Sequence, residues 1–542
     1  MKVESSKYSY QKKGLNHFLY SYNDFLASLL KRDSSQLKYV ASPLLGRLEG
    51  QTKFYEKLVK FLELKKLLES NSEAKVHVNS MDWVIFRGLS ESFPGRVVLE
   101  GEVEKALRKQ FFVKFLFWML VSYIQYFYSL LFERTKKTYE MTIRSYFVPR
   151  SISKVDGVIR DEYLSQLSAD LALNFKSLIV FNVVDWRDLK LYFTCKKSEK
   201  FDSVLLFKFL SPFSLFKVFK NLLNSKIQYN EKIIFDGVDI SSLLNDALLD
   251  EYYSLRSFFY LLESEVAAKV INKTETAIYW PYENQCWEKA YPLAKEMSQS
   301  NVMLRGVQHT GISYKLLNYF PSKLDFENYF FPDEIYSVGK IIDEVFKDWG
   351  WGKVDLKVGG AIRHTHFNGV KIVSREKSEK VIVYAFSYDI RLYSTVIKRL
   401  VNSFQGGDCT IILRYHPLYK RSVVRSYFDF DFELPENFDD NMVESWDQVY
   451  NKASIILYDD NTIGLEGLIK GIRTFYFVDS DPFYDSTRLY NLSDIKTEVK
   501  SKDFKDDDFF KKHSLFNEEI AQSYIEKYFK IYEKGEGWKE FV

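Results

Sequence analysis

The chain is 542 residues long, which corresponds to about three or four ordinary domains or two large ones. A 46% hydrophobic share beside 27% charged residues excludes a mainly disordered chain. With 76 basic and 73 acidic side chains the net charge is +3, too balanced for a protein held to nucleic acid by charge alone. Three cysteines, Cys195, Cys286 and Cys409, are odd in number and far apart. Neither a disulfide framework nor a zinc site is expected, and a reducing, cytoplasmic setting fits best.

Taken in chain order, the first 25 residues hold a basic patch but no uninterrupted apolar stretch of the kind a secretory signal needs. Segments 74–78 and 97–99 are predicted strands. Segment 115–132 (FLFWMLVSYIQYFYSLLF) has no charged residue and sits at the lower length limit for a membrane-spanning helix. Lys114, Ser122, Gln125, Ser129 and Glu133 recur at helical spacing there, giving a polar stripe on a broad apolar helix. Segment 204–226 mixes Phe and Leu with Lys208, Lys217, Lys220 and Lys226 and contains no acid, a pattern that suits the surface of an anionic leaflet. Two helices, near 111–134 and 204–226, are therefore expected close to a membrane, with burial in the core as the competing reading. A true span is rejected, because it would split one folded domain.

Further strands are predicted at 177–183, 189–193, 232–235, 277–280, 302–307, 334–338 and 356–358, with a helix at 340–349. After a polar stretch at 363–379 the pattern becomes regular. Strands at 380–387, 409–415, 453–458 and 473–478 alternate with helices ending at 404, at 442–451 and at 463–470. Strands that are apolar throughout and alternate with helices predict parallel sheets covered on both faces. The expected fold is α/β: two doubly wound Rossmann-like domains, 1–368 and 369–542, facing an interdomain cleft. A last helix near 517–533 is placed to pack back across the junction.

In open parallel sheets ligands bind beyond the carboxyl ends of the strands. The polar residues that follow predicted strands are Glu283 and Asn284, Gln308 and His309, Arg414 and His416, and 459–462. Pro417 fixes the backbone after His416, whose imidazole can meet a phosphate, while Arg414 adds charge; a strand-capping turn histidine is the plainer alternative. Asn461 or Thr462 can cap the following helix, whose amides suit a phosphate, and Glu466 lies about one turn further, in reach of a ribose. Ordinary capping explains the same residues. Glu283 and His309 are rival acid–base candidates, Glu283 also being readable as a helix-start carboxylate. Asp459 and Asp460 lack a third carboxylate at useful spacing, so no metal site is expected.

These motifs, in the order YENQCWEKA, RGVQHTG, VGGAIRH, RYHP and DDNTIGLEGLIKGIRTF, resemble GT-B glycosyltransferases of bacterial surface-carbohydrate synthesis. The likeness extends to the surface carbohydrate biosynthesis proteins (lipopolysaccharide and capsule) and to Kdo- and sialyl-transferase-like enzymes, over about residues 275–480. The resemblance implies nucleotide-sugar binding by His416, Asn461, Thr462 and Glu466, beside which Arg414 supplies charge on the donor side, acceptor-side catalysis by Glu283 or His309, and no metal or other cofactor. Thr310 departs from the pattern, with glycine arriving only at 311.

The leading expectation is a glycosyltransferase that moves a sugar from a nucleotide donor, CMP-linked among the options, to a lipid-linked surface polysaccharide. Such an enzyme would lie on the inner face of the cytoplasmic membrane and have no nucleic-acid partner. The alternatives are a CDP-polyol phosphotransferase on the same fold and a non-catalytic binding subunit.

Overall fold

The computed structural model describes residues 12–29, 39, 41–47, 54–79, 82–100, 106–152, 157–183, 185–309, 311–312, 316–327, 331–365, 370–373, 380–387, 390–416, 419, 421–425, 433–440, 445–459, 461–477, 498–499, 518–528 and 530–542. A two-stranded parallel pair, β1 (Val76–Asn79) and β2 (Val97–Glu100), precedes the main frame. The first large sheet is built from β3 (Tyr139–Phe147), β4 (Ser177–Val183), β5 (Asp202–Leu205), β8 (Thr274–Pro281), β9 (Met303–Val307), β10 (Glu334–Ser337) and β11 (Asp355–Val358). Between them β6 (Ile234–Phe235) and β7 (Val238–Asp239) make a small antiparallel ribbon. The second sheet holds β12 (Val381–Ala385), β13 (Thr410–Arg414), β14 (Phe438–Asp439), β15 (Ile455–Tyr458), β16 (Arg473–Phe477) and β17 (Glu498–Val499).

The strand orders are β11-β10-β9-β8-β3-β4-β5 and β14-β13-β12-β15-β16-β17, with parallel pairing throughout both. Each sheet starts from a central strand, winds outward to one side, and returns to fill the other. The winding reverses between β3 and β8 in the first sheet and between β12 and β15 in the second, so each has one switch-point crevice. These are two doubly wound, Rossmann-like α/β domains. Residues such as those of β4 and β12, buried along their whole length, form the strands because a sheet covered on both faces has no solvent side to place polar groups.

Three sequence expectations are corrected. Segment 189–193 is a helix, Leu189–Thr194, burying Leu189 and Tyr192 at a three-residue spacing that strand geometry does not offer. Segment 232–235 contributes only to the small ribbon. Segment 204–226 is not one amphipathic helix: it divides into the end of β5, a turn of 3-10 helix (Leu206–Phe209) and the helix Pro212–Leu223. Lys208 consequently points inward, donating to the carbonyls of Ser129 (2.9 Å) and Glu133 (2.6 Å), and is not a lipid-facing charge. The central strand β3 was not anticipated at all.

The long helix Ala106–Phe132 is inside out. Its polar stripe, Ser122, Gln125, Ser129 and Glu133, is buried against the domain, while Phe112, Leu116, Leu120, Phe127 and Leu131 are exposed, Leu131 by 71%. The helix enters and leaves the same domain. Residues before it are sealed to residues after it by the buried Arg47–Asp325 ion pair (2.5 Å), by Leu44 N–H donating to Glu251 (2.7 Å), and by Asn23 donating to the Phe320 carbonyl (3.2 Å).

The C-terminal segment returns to the first domain. The helix Glu518–Tyr528 is followed by backbone pairing of residue 530 with Val338 (2.9 Å) and Ala361 (2.7 Å). Phe541 stacks on Tyr336 of β10 at 4.6 Å, and its carbonyl accepts from Tyr279 of β8 at 2.7 Å. Gly339 and Gly359 make this approach possible, since a Cβ at either would collide with Tyr528 or Phe541.

Arg47→Met leaves the Asp325 carboxylate buried without its cation, which typically costs about 3–5 kcal/mol. The variant is expected to unfold at markedly lower urea than the wild type, followed by circular dichroism; an unchanged midpoint would show that the pair does not seal the two flanks.

Candidate active site

The carboxyl end of β8 opens into a turn held by one buried carboxylate. Glu288 accepts the Trp280 indole N–H and the backbone N–H groups of Glu283 and Gln285, each at 3.0 Å. Burial pushes its pKa up to about 8. Asn284 takes a left-handed backbone at φ 52° and donates to the Asn318 carbonyl at 2.5 Å, and Asn318 returns a bond to the Glu283 carbonyl. The turn thus presents the Glu283 side chain, half-buried, at the switch point. Gln285 donates to its carboxylate, and burial raises its pKa against the lowering effect of that bond and of Arg363.

His309 follows β9. Its Nε2 stands 3.7 Å from Glu283 Oε1, so the two rival acid–base candidates share one spot. The imidazole is buried, neither ring nitrogen has a hydrogen-bond partner among the described residues, and the Tyr163 ring packs edge-on at 5.4 Å. Burial, assisted by the positive charge of Arg363, lowers its pKa to about 3. It is therefore neutral at physiological pH, while burial shifts the neighbouring Glu283 carboxyl in the opposite direction, upward. Gln308 is structural: its side-chain oxygen accepts from Val338 N–H at 3.0 Å, tying β9 to β10.

On the second sheet, Asn461 closes the switch point. Its amide donates to the Ala385 carbonyl at the end of β12 (2.8 Å) and to Asp459 (3.2 Å), while its oxygen accepts from Ile463 N–H (3.0 Å). That side chain is engaged in shaping the crevice. The helix behind it, Ile463–Ile469, is only seven residues long, and the Thr462 hydroxyl makes no capping bond. Glu466 accepts from Tyr450 at 2.9 Å, and burial raises its pKa while Arg363 opposes the shift. The Arg414 guanidinium is buried over the Trp446 ring at 5.2 Å, and Trp446 packs on Tyr450, so Arg414 is joined to Glu466 through two aromatic rings. His416 is half-buried, with its pKa lowered by burial and by the charge of Arg150 from the first domain. Asp460 lies outside the described residues.

The two switch points face each other. A Cβ built on Gly311, just past His309, would lie 3.6 Å from the Thr462 methyl group. Arg363 is the group that sequence reasoning missed: its charge acts on Glu283, His309, Tyr163 and Glu466, and it lies 3.8 Å from Glu162, which also pairs with Arg150 at 3.6 Å. It follows the Gly359–Gly360 end of β11, the same place after a strand that singled out the other candidates. Among the described residues no group of three or more His, Cys, Asp or Glu side chains is placed to hold a metal ion.

No protein-family model matches the chain, and no curated protein matches it. Among solved structures it is similar to the wall teichoic acid polymerase TagF, at 11% identity over 81% of this chain and 96% of that one with a TM-score of 0.34. It is also similar to UDP-GlcNAc 2-epimerase from Neisseria meningitidis bound to UDP-GlcNAc (10% identity, 71% and 98% covered, TM-score 0.37). A third similar structure is CalG4, the calicheamicin glycosyltransferase (9% identity, 72% and 94% covered, TM-score 0.39).

Glu288 carries a testable linkage. A carboxyl whose folded pKa is raised from 4.5 to about 8 contributes stability that is complete below about pH 4.5 and is lost as pH climbs through 8. Glu288→Gln cannot ionise, so its melting temperature is expected to vary less with pH between 5 and 8 than that of the wild type. Parallel melting curves in that window check this; identical pH dependence in both proteins would contradict it.

Proposed function

We propose that this protein is a metal-independent glycosyltransferase that moves a sugar from a nucleotide-activated donor to a lipid-linked surface glycan. The observation that supports it is the meeting of two switch-point crevices, with Glu283 on one side, Glu466 and His416 on the other, and Arg363 acting on both sides. Glu283 takes the proton from the acceptor hydroxyl as that oxygen bonds to the anomeric carbon of the donor. The bond from the anomeric carbon to the phosphate oxygen breaks, and the leaving phosphate carries away the electron pair. Arg363, Arg150 and His416 are the positive or proton-donating groups available to that phosphate, and Glu466 is available to the ribose hydroxyls. Neutral His309 supports Glu283 by bordering it without adding a second charge.

The inside-out helix supports a peripheral place on the cytoplasmic face of the membrane. The stretch Gln110–Phe132 is long and apolar enough to cross a bilayer, with mean hydropathy 1.5, yet both its flanks belong to one domain. It packs on Pro212–Leu223 through Phe115 and Phe219 at 5.4 Å, and that helix exposes Phe213 and Phe216 beside Lys220 and beside Lys217, which pairs with Glu265 at 2.6 Å. An exposed apolar surface edged by lysines matches the interface of an anionic leaflet.

Glu283→Gln is expected to lower the transfer rate by about 10²–10⁴ while nucleotide affinity stays near wild type. His416→Ala is expected to weaken nucleotide binding by about tenfold or more. Radiolabelled-donor turnover and calorimetry across UDP-, GDP-, CMP- and CDP-linked donors separate the two effects; wild-type turnover by Glu283→Gln would overturn its role as base. Leu120→Asp combined with Phe216→Asp is expected to release the protein from phosphatidylglycerol vesicles, read by co-sedimentation. Undiminished pelleting would remove the membrane reading.

A further inference from the structure

The YENQCWEKA segment does more than carry Glu283. A pocket of about 270 Å³ lies at the switch point of the first sheet, with Arg144 and Tyr146 of β3, Asn182 of β4, Tyr163, and Glu283 among its lining. Its size is at the small end for ligand sites, room for one ring rather than a chain. Its chemistry is that of a neutral polyhydroxyl ligand. The one cation, Arg144, is buried and already neutralised by Glu263, to which its Nε donates at 2.7 Å. The guanidinium is further held over the rings of Trp287 (4.7 Å) and Tyr146 (5.0 Å), so it is fixed as a wall and not left available to an anion. Glu283 and Glu263 in the pocket lining disfavour an anionic ligand. Tyr146 and Tyr163 meet edge to face at 5.5 Å and give apolar ring surface against which the C–H face of a sugar can lie. The amide oxygen of Asn182 is buried and has no hydrogen-bond partner among the described residues. An unmet acceptor in a pocket of this kind is a place for a hydroxyl proton.

The pocket is also one side chain from the apolar surface. Phe259, another of its lining residues, packs on Trp118 of the Ala106–Phe132 helix at 5.3 Å.

We propose that this pocket is the acceptor subsite and that it takes the terminal ring of an uncharged glycan, presenting its hydroxyl to Glu283. The acceptor role rests on the transferase reading, but recognition of the ring does not. The test uses the full chain and saturation-transfer NMR, with neutral methyl pyranosides and a methyl uronoside as probes. The wild type is expected to bind one or more neutral glycosides in preference to the uronoside. Asn182→Ala is expected to weaken that binding about tenfold, and Tyr146→Leu to do the same by removing the ring surface. Thermal melts identify a variant that fails to fold, and the other then decides. Calorimetry with nucleotide on the same samples should be unaffected by either substitution. If the wild type binds no neutral glycoside, prefers the uronoside, or is matched by both folded variants, the subsite is overturned whatever the nucleotide result. If the wild type binds glycoside but no nucleotide donor, the transferase reading fails and the acceptor role is overturned with it.

Discussion

The buried Glu288 carboxylate, gathering the Trp280 indole and the N–H groups of Glu283 and Gln285, is the constraint on which the first half of the cleft depends. Three donors on one carboxylate fix the path of the chain where β8 ends, and that path sets both the direction of Glu283 and the wall of the neighbouring pocket. The arrangement is costly in isolation, because a desolvated carboxyl is held among apolar groups. It is offset by the backbone donors that would otherwise be orphaned at a sharp turn with a left-handed residue at 284. A site of this kind is rigid because no member of the network can leave without exposing another.

Electrostatics in the cleft follow from the same economy of charge. His309 is stripped of its proton by burial, Arg144 is neutralised by Glu263, and Arg363 acts on both Glu283 and Glu466, with Lys470 also acting on Glu466. Arg363 lowers the pKa of both Glu283 and Glu466 against the raising effect of their burial, so one cation on the first domain acts on carboxylates of both domains.

The second domain was legible in the sequence because β12, β13, β15 and β16 are short apolar runs bounded by turn residues, the pattern that two-sided burial imposes. The first domain was less legible for identifiable reasons. β3 reads YEMTIRSYF, and its Arg144 looks like a surface residue until Glu263, distant in sequence, is brought beside it. Segment 189–193 is too short for periodicity to separate helix from strand. The polar stripe of the 106–132 helix was visible as a stripe, but which side faced the protein was not, since amphipathicity alone carries no sign. Among site residues, Glu283 and His309 lie together after neighbouring strands, and Arg363 acts on both and on Glu466. Asn461 and Gln308 turned out to hold the backbone together, a duty that their side-chain chemistry could not distinguish from ligand binding. Arg363 sits at the start of the polar stretch 363–379, where its sequence context does not distinguish it from solvent-facing charge.

The return of residues 530–542 to the first domain has a consequence for how the chain matures. Phe541 fills the space beside Gly359 and stacks on Tyr336, and Tyr532 reaches Asp170 at 2.9 Å. The amino-terminal domain has all seven strands of its sheet by residue 358, but the surface that residues 530–542 cover must wait, exposed, until the whole second domain has been synthesised. Domains ordinarily complete themselves in order of synthesis. Here the first to emerge is the last to be sealed, so a newly made chain carries an open apolar seam for the time needed to translate the second domain, and a chain cut short near its end is left with that seam for good.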